Sequence, residues 1–280
     1  MILKQCYMTD STCYRQAGNS AKTGIVVHST GCNNPYIKRY VQPLKTDACY
    51  SEVIADIGRN IYGNDWNHIE RYAGVHAFIG KNAKGTVETY QVLPYEKDAW
   101  GVGRGPAGSY NFAPDARIQF EICEDNLRDG VYFNAAMKEA QEYCAHLCKL
   151  NGWSADKICS HNEAYYAGYS LPHHVDPDHW LSRFGKNMDW FRAEVQKILD
   201  GGAADEPTKE EQPVNDTLHV GDRVSMAQGA PVYGKTRKFA SWVYKATLYV
   251  RQISGDRVVV SIQNTGAVTG AVDRKYLTKI

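Results

Sequence analysis

From Asp200 to Pro213 the chain carries no large apolar residue: Asp200-Gly201-Gly202-Ala203-Ala204-Asp205-Glu206-Pro207 runs on to Gln212-Pro213, and Val214 is the first to break it. Such a stretch buries too little surface to offset the entropy lost on ordering, so it reads as a linker. The 280 residues must then fold as two separate parts. The expected boundaries are a first domain over 1–199, an acidic linker over 200–215 and a small domain over 216–280. Charge follows the same division. The first part has 21 basic and 22 acidic side chains, the linker one and five, and the tail ten and four.

The whole chain is nearly neutral, with 32 Lys and Arg against 31 Asp and Glu, which argues against a nucleic-acid binder. No run approaches the roughly 18 apolar residues of a membrane span. The start, Met1-Ile2-Leu3-Lys4-Gln5-Cys6, lacks the apolar stretch of a secretory signal, so synthesis in the cytoplasm without ordinary export is expected. All eight cysteines lie before residue 160, none in a C-x-x-C pair, and they read as small buried hydrophobes.

In the first part, β-branched runs alternate with helical patterns. Gly24-Ile25-Val26-Val27-His28 is a short strand that ends on histidine. Tyr50, Val53, Ile54, Ile57 and Ile61 fall at helical spacing, with Gly63 as the stop. Residues 75–79 and 86–92 flank the turn Lys81-Asn82-Ala83-Lys84-Gly85 as a hairpin. In Arg117–Cys123, Ile118, Phe120 and Ile122 take one face and Gln119, Glu121 and Cys123 the other. A long helix buries Met137, Ala140, Cys144 and Leu147 and stops at Asn151-Gly152. Ile158-Cys159-Ser160-His161 is a last strand edge, and a closing helix carries Met188, Phe191, Val195 and Ile198. The fold class is α/β, with a mixed central β-sheet flanked by helices. The tail shows no helical period; five short strands at 221–226, 230–234, 246–253, 257–263 and 270–277 suggest a small all-β SH3-like barrel.

Three residues invite a metal reading. His28 and His161 close strands whose ends collect at one rim of the sheet, and Asp176 lies in the irregular stretch Leu171-Pro172-His173-His174-Val175-Asp176-Pro177. Two imidazoles and one carboxylate make a catalytic zinc site with one open position. Each residue also has a plain reading: a hydrogen-bonded structural histidine after a strand, or an Asp that forms a turn before proline. Glu121 is costly within a buried strand unless it is paired or has a role, although an edge strand would let it face solvent.

Together the segments resemble a known family. Gly24-Ile25-Val26-Val27-His28-Ser29-Thr30, Val75-His76-Ala77-Phe78-Ile79-Gly80, Asp98-Ala99-Trp100, Ile118–Glu124, Cys159-Ser160-His161-Asn162-Glu163, His174–Trp180 and Met188-Asp189-Trp190-Phe191-Arg192 stand in one order. That order and spacing, over roughly residues 20–197, resemble the zinc-dependent N-acetylmuramoyl-L-alanine amidases of the amidase-2 type, kin to peptidoglycan recognition proteins and found in phage endolysins. The tail more loosely resembles bacterial SH3-type wall-binding modules.

The resemblance implies one Zn2+ held by His28, His161 and Asp176, with His174 the alternative third ligand. It implies Glu121 as the acid/base residue and His174 as an oxyanion stabiliser, with His173 and His179 outside the site. Val75 stands where some relatives have a catalytic Tyr. Gly101-Val102-Gly103 follows Trp100 where relatives often have His, so substrate contacts should differ at that loop. The implied reaction is hydrolysis of the amide between N-acetylmuramic acid and L-alanine in bacterial peptidoglycan, by an endolysin of a phage or prophage acting at the cell wall. Trp66 and Trp100 are candidates to stack on sugar rings, and the basic tail a candidate to bind wall polymer. A non-catalytic peptidoglycan-binding protein and a zinc peptidase cutting within stem peptides are the competing readings.

Overall fold

The computed structural model describes residues 1–202, 218–265 and 267–279. Most of the expected linker therefore lies outside the described residues. The chain divides into two compact units, Met1–Pro213 and Val214–Ile280.

The first unit runs β1 (Leu3–Gln5), α1 (Thr12–Gln16), β2 (Ile25–Ser29), α2 (Tyr50–Ile57), β3 (Ala77–Lys81), β4 (Val87–Gln91), β5 (Ile118–Ile122), α3 (Gly130–Asn151), β6 (Ile158–Ser160), α4 (His161–Tyr166), α5 (Asp178–Arg183) and α6 (Met188–Leu199). Its six strands stand in the order β1-β4-β3-β5-β2-β6, and only the β3–β4 hairpin is antiparallel. This is the mixed sheet the sequence implies.

Strand alternation sorts the two faces. Ile25, Val27, Ala77, Ile79, Ile118, Phe120 and Ile122 share a core with Phe133, Met137, Ala140, Cys144 and Leu147 of α3 and with Phe191 and Val195 of α6. Trp180 of α5 is fully buried in that core, with its ring against Phe133. On the other face, Phe78, Tyr90 and Val92 pack under Ile37, Tyr40, Val53, Ile57 and Trp66. Both faces of β5 are therefore covered, and β5 is central in the sheet, so Glu121 is not on an edge strand.

Several expectations need correction. Helix α2 stops at Gly58, whose φ of +84° no β-branched or bulky residue adopts readily, and Ile61 beyond it is 76% exposed. Trp66 is a core residue, edge-on to Phe78 with the Arg71 guanidinium 4.1 Å above its ring, so it offers no face to a sugar. Trp100 packs beside Cys13, Leu93 and Ala99. Five cysteines are buried as expected, but Cys32 is exposed and Cys49 and Cys159 are half-buried; all eight are free thiols.

The second unit is one antiparallel sheet built from β7 (Arg223–Met226), β8 (Leu248–Ser254), β9 (Arg257–Ser261), β10 (Gly270–Asp273) and β11 (Leu277–Lys279), in the order β10-β9-β8-β7-β11. Val224, Met226, Leu248, Val250, Val258, Val260 and Val272 fill its core. Residues 230–234 are not a strand: Pro231, which has no N–H, makes only an isolated bridge to Lys238. The expected strand at 270–277 is two strands parted by a tight turn over Arg274–Tyr276. Among the described residues, no helix is long and apolar enough to cross a membrane.

His76, just before β3, supplies a pH response of its own. It is fully buried; Nε2 donates to the Lys97 carbonyl at 3.0 Å and Nδ1 accepts the Gln119 N–H at 3.0 Å. Burial pushes its pKa down to about 4. The unfolded chain, with an ordinary histidine, therefore takes up this proton first as pH falls. Stability from this group is full above about pH 6.5 and drains away between pH 6.5 and 4, by up to ~3 kcal/mol. Denaturant melts of the chelated protein from pH 7.5 to 4.5 should show that slope, and His76→Gln should flatten it. An equal slope in both proteins would rule the account out.

Candidate metal centre

The site lies at the carboxyl ends of β2, β5 and β6. His28 is the fourth residue of β2 and pairs in register with Glu121 of β5, so the two side chains leave the sheet on one face. His161 opens α4 directly after β6. Its backbone is fixed by a capping box: Ser160 Oγ accepts the Glu163 N–H, and the Glu163 carboxylate accepts the Ser160 N–H, each at 3.0 Å. Arg192 of α6 holds the same carboxylate with two bonds of 2.8 and 3.0 Å. Asp176 arrives on the loop before α5. There its carbonyl accepts the Asn162 N–H at 3.3 Å, and Oδ2 accepts the Ser29 N–H at 3.3 Å.

These three side chains converge. His28 Nδ1 and His161 Nδ1 are 3.0 Å apart, and each lies 3.3 Å from an oxygen of Asp176. All three residues are buried, and their donor atoms lie within 4.8 Å of one another. Among the described residues no other such group of three forms. Donors around a tetrahedral zinc ion with bonds of ~2.0–2.1 Å would be ~3.3 Å apart, close to these distances.

The outer ring nitrogens support the same fit. His28 Nε2 lies 3.1 Å from Gln119 Oε1, an oxygen that only accepts, so the ring proton belongs on Nε2. Nδ1 is then left with its lone pair toward the cluster. His161 Nε2 is likewise engaged, 2.9 Å from Ser170 Oγ. With the same tautomer on His161, two facing lone pairs and a buried carboxylate repel unless a cation sits among them, and a hydrogen bond on the outer nitrogen of each imidazole is the usual arrangement around a bound metal. With no ion in place, a proton on Nδ1 of His161 or His28 would instead donate to Asp176, and those bonds outweigh burial and hold the carboxyl far below the usual range. The residues fit a zinc ion.

Glu121 stands beside His28 on the neighbouring strand and borders the cluster. Its side chain is half-buried, yet Oε2 is shut off from solvent and has no hydrogen-bond partner. Loss of hydration pushes its pKa up to about 7, with Asp176 and Glu124 adding to the shift and His28 and Arg71 opposing it. A carboxyl of that kind can both take and give a proton near neutrality. His174 lies over the outer side of the cluster, its ring parallel to His161 at 4.7 Å and its Nδ1 3.9 Å from Asp176. It is 53% exposed on its side chain and free to meet a ligand. The other two histidines are engaged elsewhere: His173 bonds Asn162 and stacks on Tyr165, and His179 Nε2 lies 3.1 Å from Glu124. Val75 is buried in the core.

The sequence reading missed the residues that hold this arrangement. Gln119 is fully buried, and its Nε2 donates to the Tyr110 carbonyl and Asn111 Oδ1 while its Oε1 meets His28. Asn111 in turn bonds both backbone groups of Val102. Gly101 lies so close that a Cβ there would stand 2.3 Å from Gln119 Oε1 and 3.0 Å from His28 Nε2. Glu124 Oε1 accepts from Ser29 Oγ at 2.5 Å, and with its contact to His179 it ties the Asp176 loop back to β2.

The family model for N-acetylmuramoyl-L-alanine amidase matches residues 18–179, which include all three donors and Glu121. N-acetylmuramoyl-L-alanine amidase CwlA of Bacillus subtilis (strain 168) is 32% identical over 88 residues, 31% of this chain and 30% of that protein. The chain thus spans about a third of the curated relative it matches. Among solved structures, Staphylococcus aureus hydrolase AmiA has a TM-score of 0.46 at 20% identity, covering 74% of this chain and 88% of that one. A mutant endolysin from Bacillus subtilis has a TM-score of 0.45 at 21% identity, covering 70% and 99%. With the family match running over more than half of the chain and across the whole donor cluster, the protein belongs to the N-acetylmuramoyl-L-alanine amidase family.

Proposed function

We propose that this protein is a zinc amidase that hydrolyses the bond between N-acetylmuramic acid and L-alanine in bacterial peptidoglycan, acting at the cell wall as an endolysin. The observation that carries the reading is the His28, His161 and Asp176 triangle beside an unpartnered Glu121 Oε2, inside the segment that matches the family. CwlA, 32% identical to this chain over 88 residues, is by name an N-acetylmuramoyl-L-alanine amidase.

His28 Nδ1, His161 Nδ1 and one Asp176 oxygen would hold the ion, and Gln119 and Ser170 orient the two rings. A zinc ion held there would supply Lewis acidity, lowering the pKa of water toward about 7 and polarising a carbonyl. Glu121 Oε2 accepts the proton of the attacking water and passes it to the departing alanine nitrogen, which leaves poorly unless protonated. His174, exposed at the rim of the cluster, is placed to donate to the oxyanion that forms on the lactyl carbonyl, worth about 3 kcal/mol for a well-aimed donor. The basic, all-β second unit is assigned to wall-polymer binding, as an SH3-like module.

Digestion of purified Gram-positive peptidoglycan tests the reading. New alanine amino termini without new reducing ends, abolished by a zinc chelator and restored by zinc, are expected. Other amino termini would instead indicate a peptidase. Pelleting with walls without any release would indicate a binding protein, a role for which the buried donor cluster and Glu121 have no use.

A further inference from the structure

Beside the donor cluster runs an open groove of about 820 Å³, lined by Arg104, Gly105, Pro106, Tyr165, Tyr166 and Leu171 among others. Its lining includes Ser170, the residue bonded to His161 Nε2, which sets it next to the cluster. Its wall is mostly apolar: Tyr166 is 75% exposed and Leu171 also stands open. Arg104 is exposed and has neither a hydrogen bond nor an ion pair among the described residues.

The backbone on either side of Arg104 is held closely. Gly103 and Gly105 flank it, and each presses backbone against backbone across the groove floor. A Cβ on Gly103 would stand 1.7 Å from the Leu171 carbonyl oxygen, and one on Gly105 would stand 2.2 Å from that of Gly168. Ser109 Oγ donates to the Gly103 carbonyl at 2.8 Å, and the Ala107 N–H donates to the Gly168 carbonyl at 2.9 Å. The Gly-Val-Gly-Arg-Gly run therefore seats the loop on the 168–171 segment and presents a single unpaired guanidinium at its surface.

We propose that this groove receives the stem-peptide side of the substrate, with Arg104 pairing to the free carboxylate of the residue that follows L-alanine; the proposal rests on the amidase reading above. The chemistry of the substrate selects this side. In the glycan the lactyl carboxyl is consumed in the scissile amide and the N-acetyl groups are neutral, so the anionic groups near the cut all belong to the peptide. The residue after L-alanine is an acid joined through its side chain, and its α-carboxyl is left free or is capped as an amide. A guanidinium discriminates between those forms, because only the carboxylate makes two charge-assisted hydrogen bonds with it. The exposed Tyr166 ring and Leu171 offer apolar cover to the peptide beside that pair. Arg104 is thus a specificity residue for wall chemotype.

The test is calorimetric titration of full-length, zinc-loaded protein carrying Glu121→Gln, with muramyl dipeptide as probe in its free-acid and amidated forms. The acid is expected to bind about ten- to a hundredfold more tightly. Arg104→Met should remove that difference and leave the affinity for the amide within about twofold, and Arg104→Lys should keep part of it. Equal affinity for both forms in the parent, a preference that survives Arg104→Met, or no binding of either form at millimolar concentration overturns the proposal. Release of alanine amino termini by the unsubstituted protein reports on the amidase reading separately. Walls cut with no acid preference would sink the groove assignment alone, and an Arg104-dependent preference without cutting would sink the amidase reading alone.

Discussion

Glu121→Gln is expected to keep zinc and to lose turnover by about a hundred- to ten-thousandfold, the range a positioned acid/base group contributes. Glutamine fills the same space on β5 and can hydrogen-bond, but it cannot carry a proton from water to the alanine nitrogen. Glu121 does not belong to the 4.8 Å donor set, so its replacement leaves His28, His161 and Asp176 in place. Asp176→Ala should do the reverse. It removes the one carboxylate of the set and leaves two imidazoles facing each other at 3.0 Å, so zinc should be lost and activity with it. Zinc content by metal analysis after dialysis, beside turnover on solubilised peptidoglycan, separates the two. Zinc lost from Glu121→Gln and kept by Asp176→Ala would mean that the roles are exchanged.

Gln119→Leu is expected to damage both fold and centre. Leucine matches glutamine in size, but it strips partners from His28 Nε2, the Tyr110 carbonyl and Asn111 Oδ1 at a fully buried position. The Tyr110 carbonyl keeps the Arg117 N–H and Asn111 Oδ1 keeps the Val102 N–H, so His28 Nε2 alone is orphaned, at a cost of about 1–3 kcal/mol. Zinc affinity should drop about 10–100-fold, because the His28 ring loses the bond that sets its tautomer and angle. Competition with a chromogenic chelator reads the second effect, and denaturant melts of the metal-free protein read the first. A variant with lowered stability but unchanged zinc affinity would reduce Gln119 to a packing role.

The sheet and its central strand were legible in the sequence because alternation reports directly on covered faces. Ile118, Phe120 and Ile122 do face α3, and Gln119 and Glu121 face the cleft. The same alternation held a signal left unread: Gln119 sits two residues before Glu121 on that cleft face, and an amide inside a covered strand needs three or four polar partners. The donor cluster was assembled from strand ends and family order, which suffices when the residues stop at one rim of a parallel sheet. Periodicity failed at Ile61 because spacing says nothing of where a helix ends. Both Gly58 and Gly63 have positive φ, but the helix ends at the first of them, and the next apolar residue is left in solvent. Trp66 misled for a related reason: an aromatic ring free for sugar and one roofed by Arg71 look alike in a string of letters. Arg104 could not be read at all, since its meaning depends on glycine backbones pressed against a segment some 65 residues further along the chain.

The donor cluster also fixes an order of events in time. His28 and His161 stand 133 residues apart, and Asp176 comes later still. They meet only when β2 is inserted between β5 and β6, both parallel to it and both later in the sequence. A growing chain therefore cannot offer an ion this donor set until almost the whole first unit has been made. Metal capture should come as the last step of maturation, not as a seed for folding, and free zinc should set how much finished enzyme accumulates without changing how fast the sheet assembles.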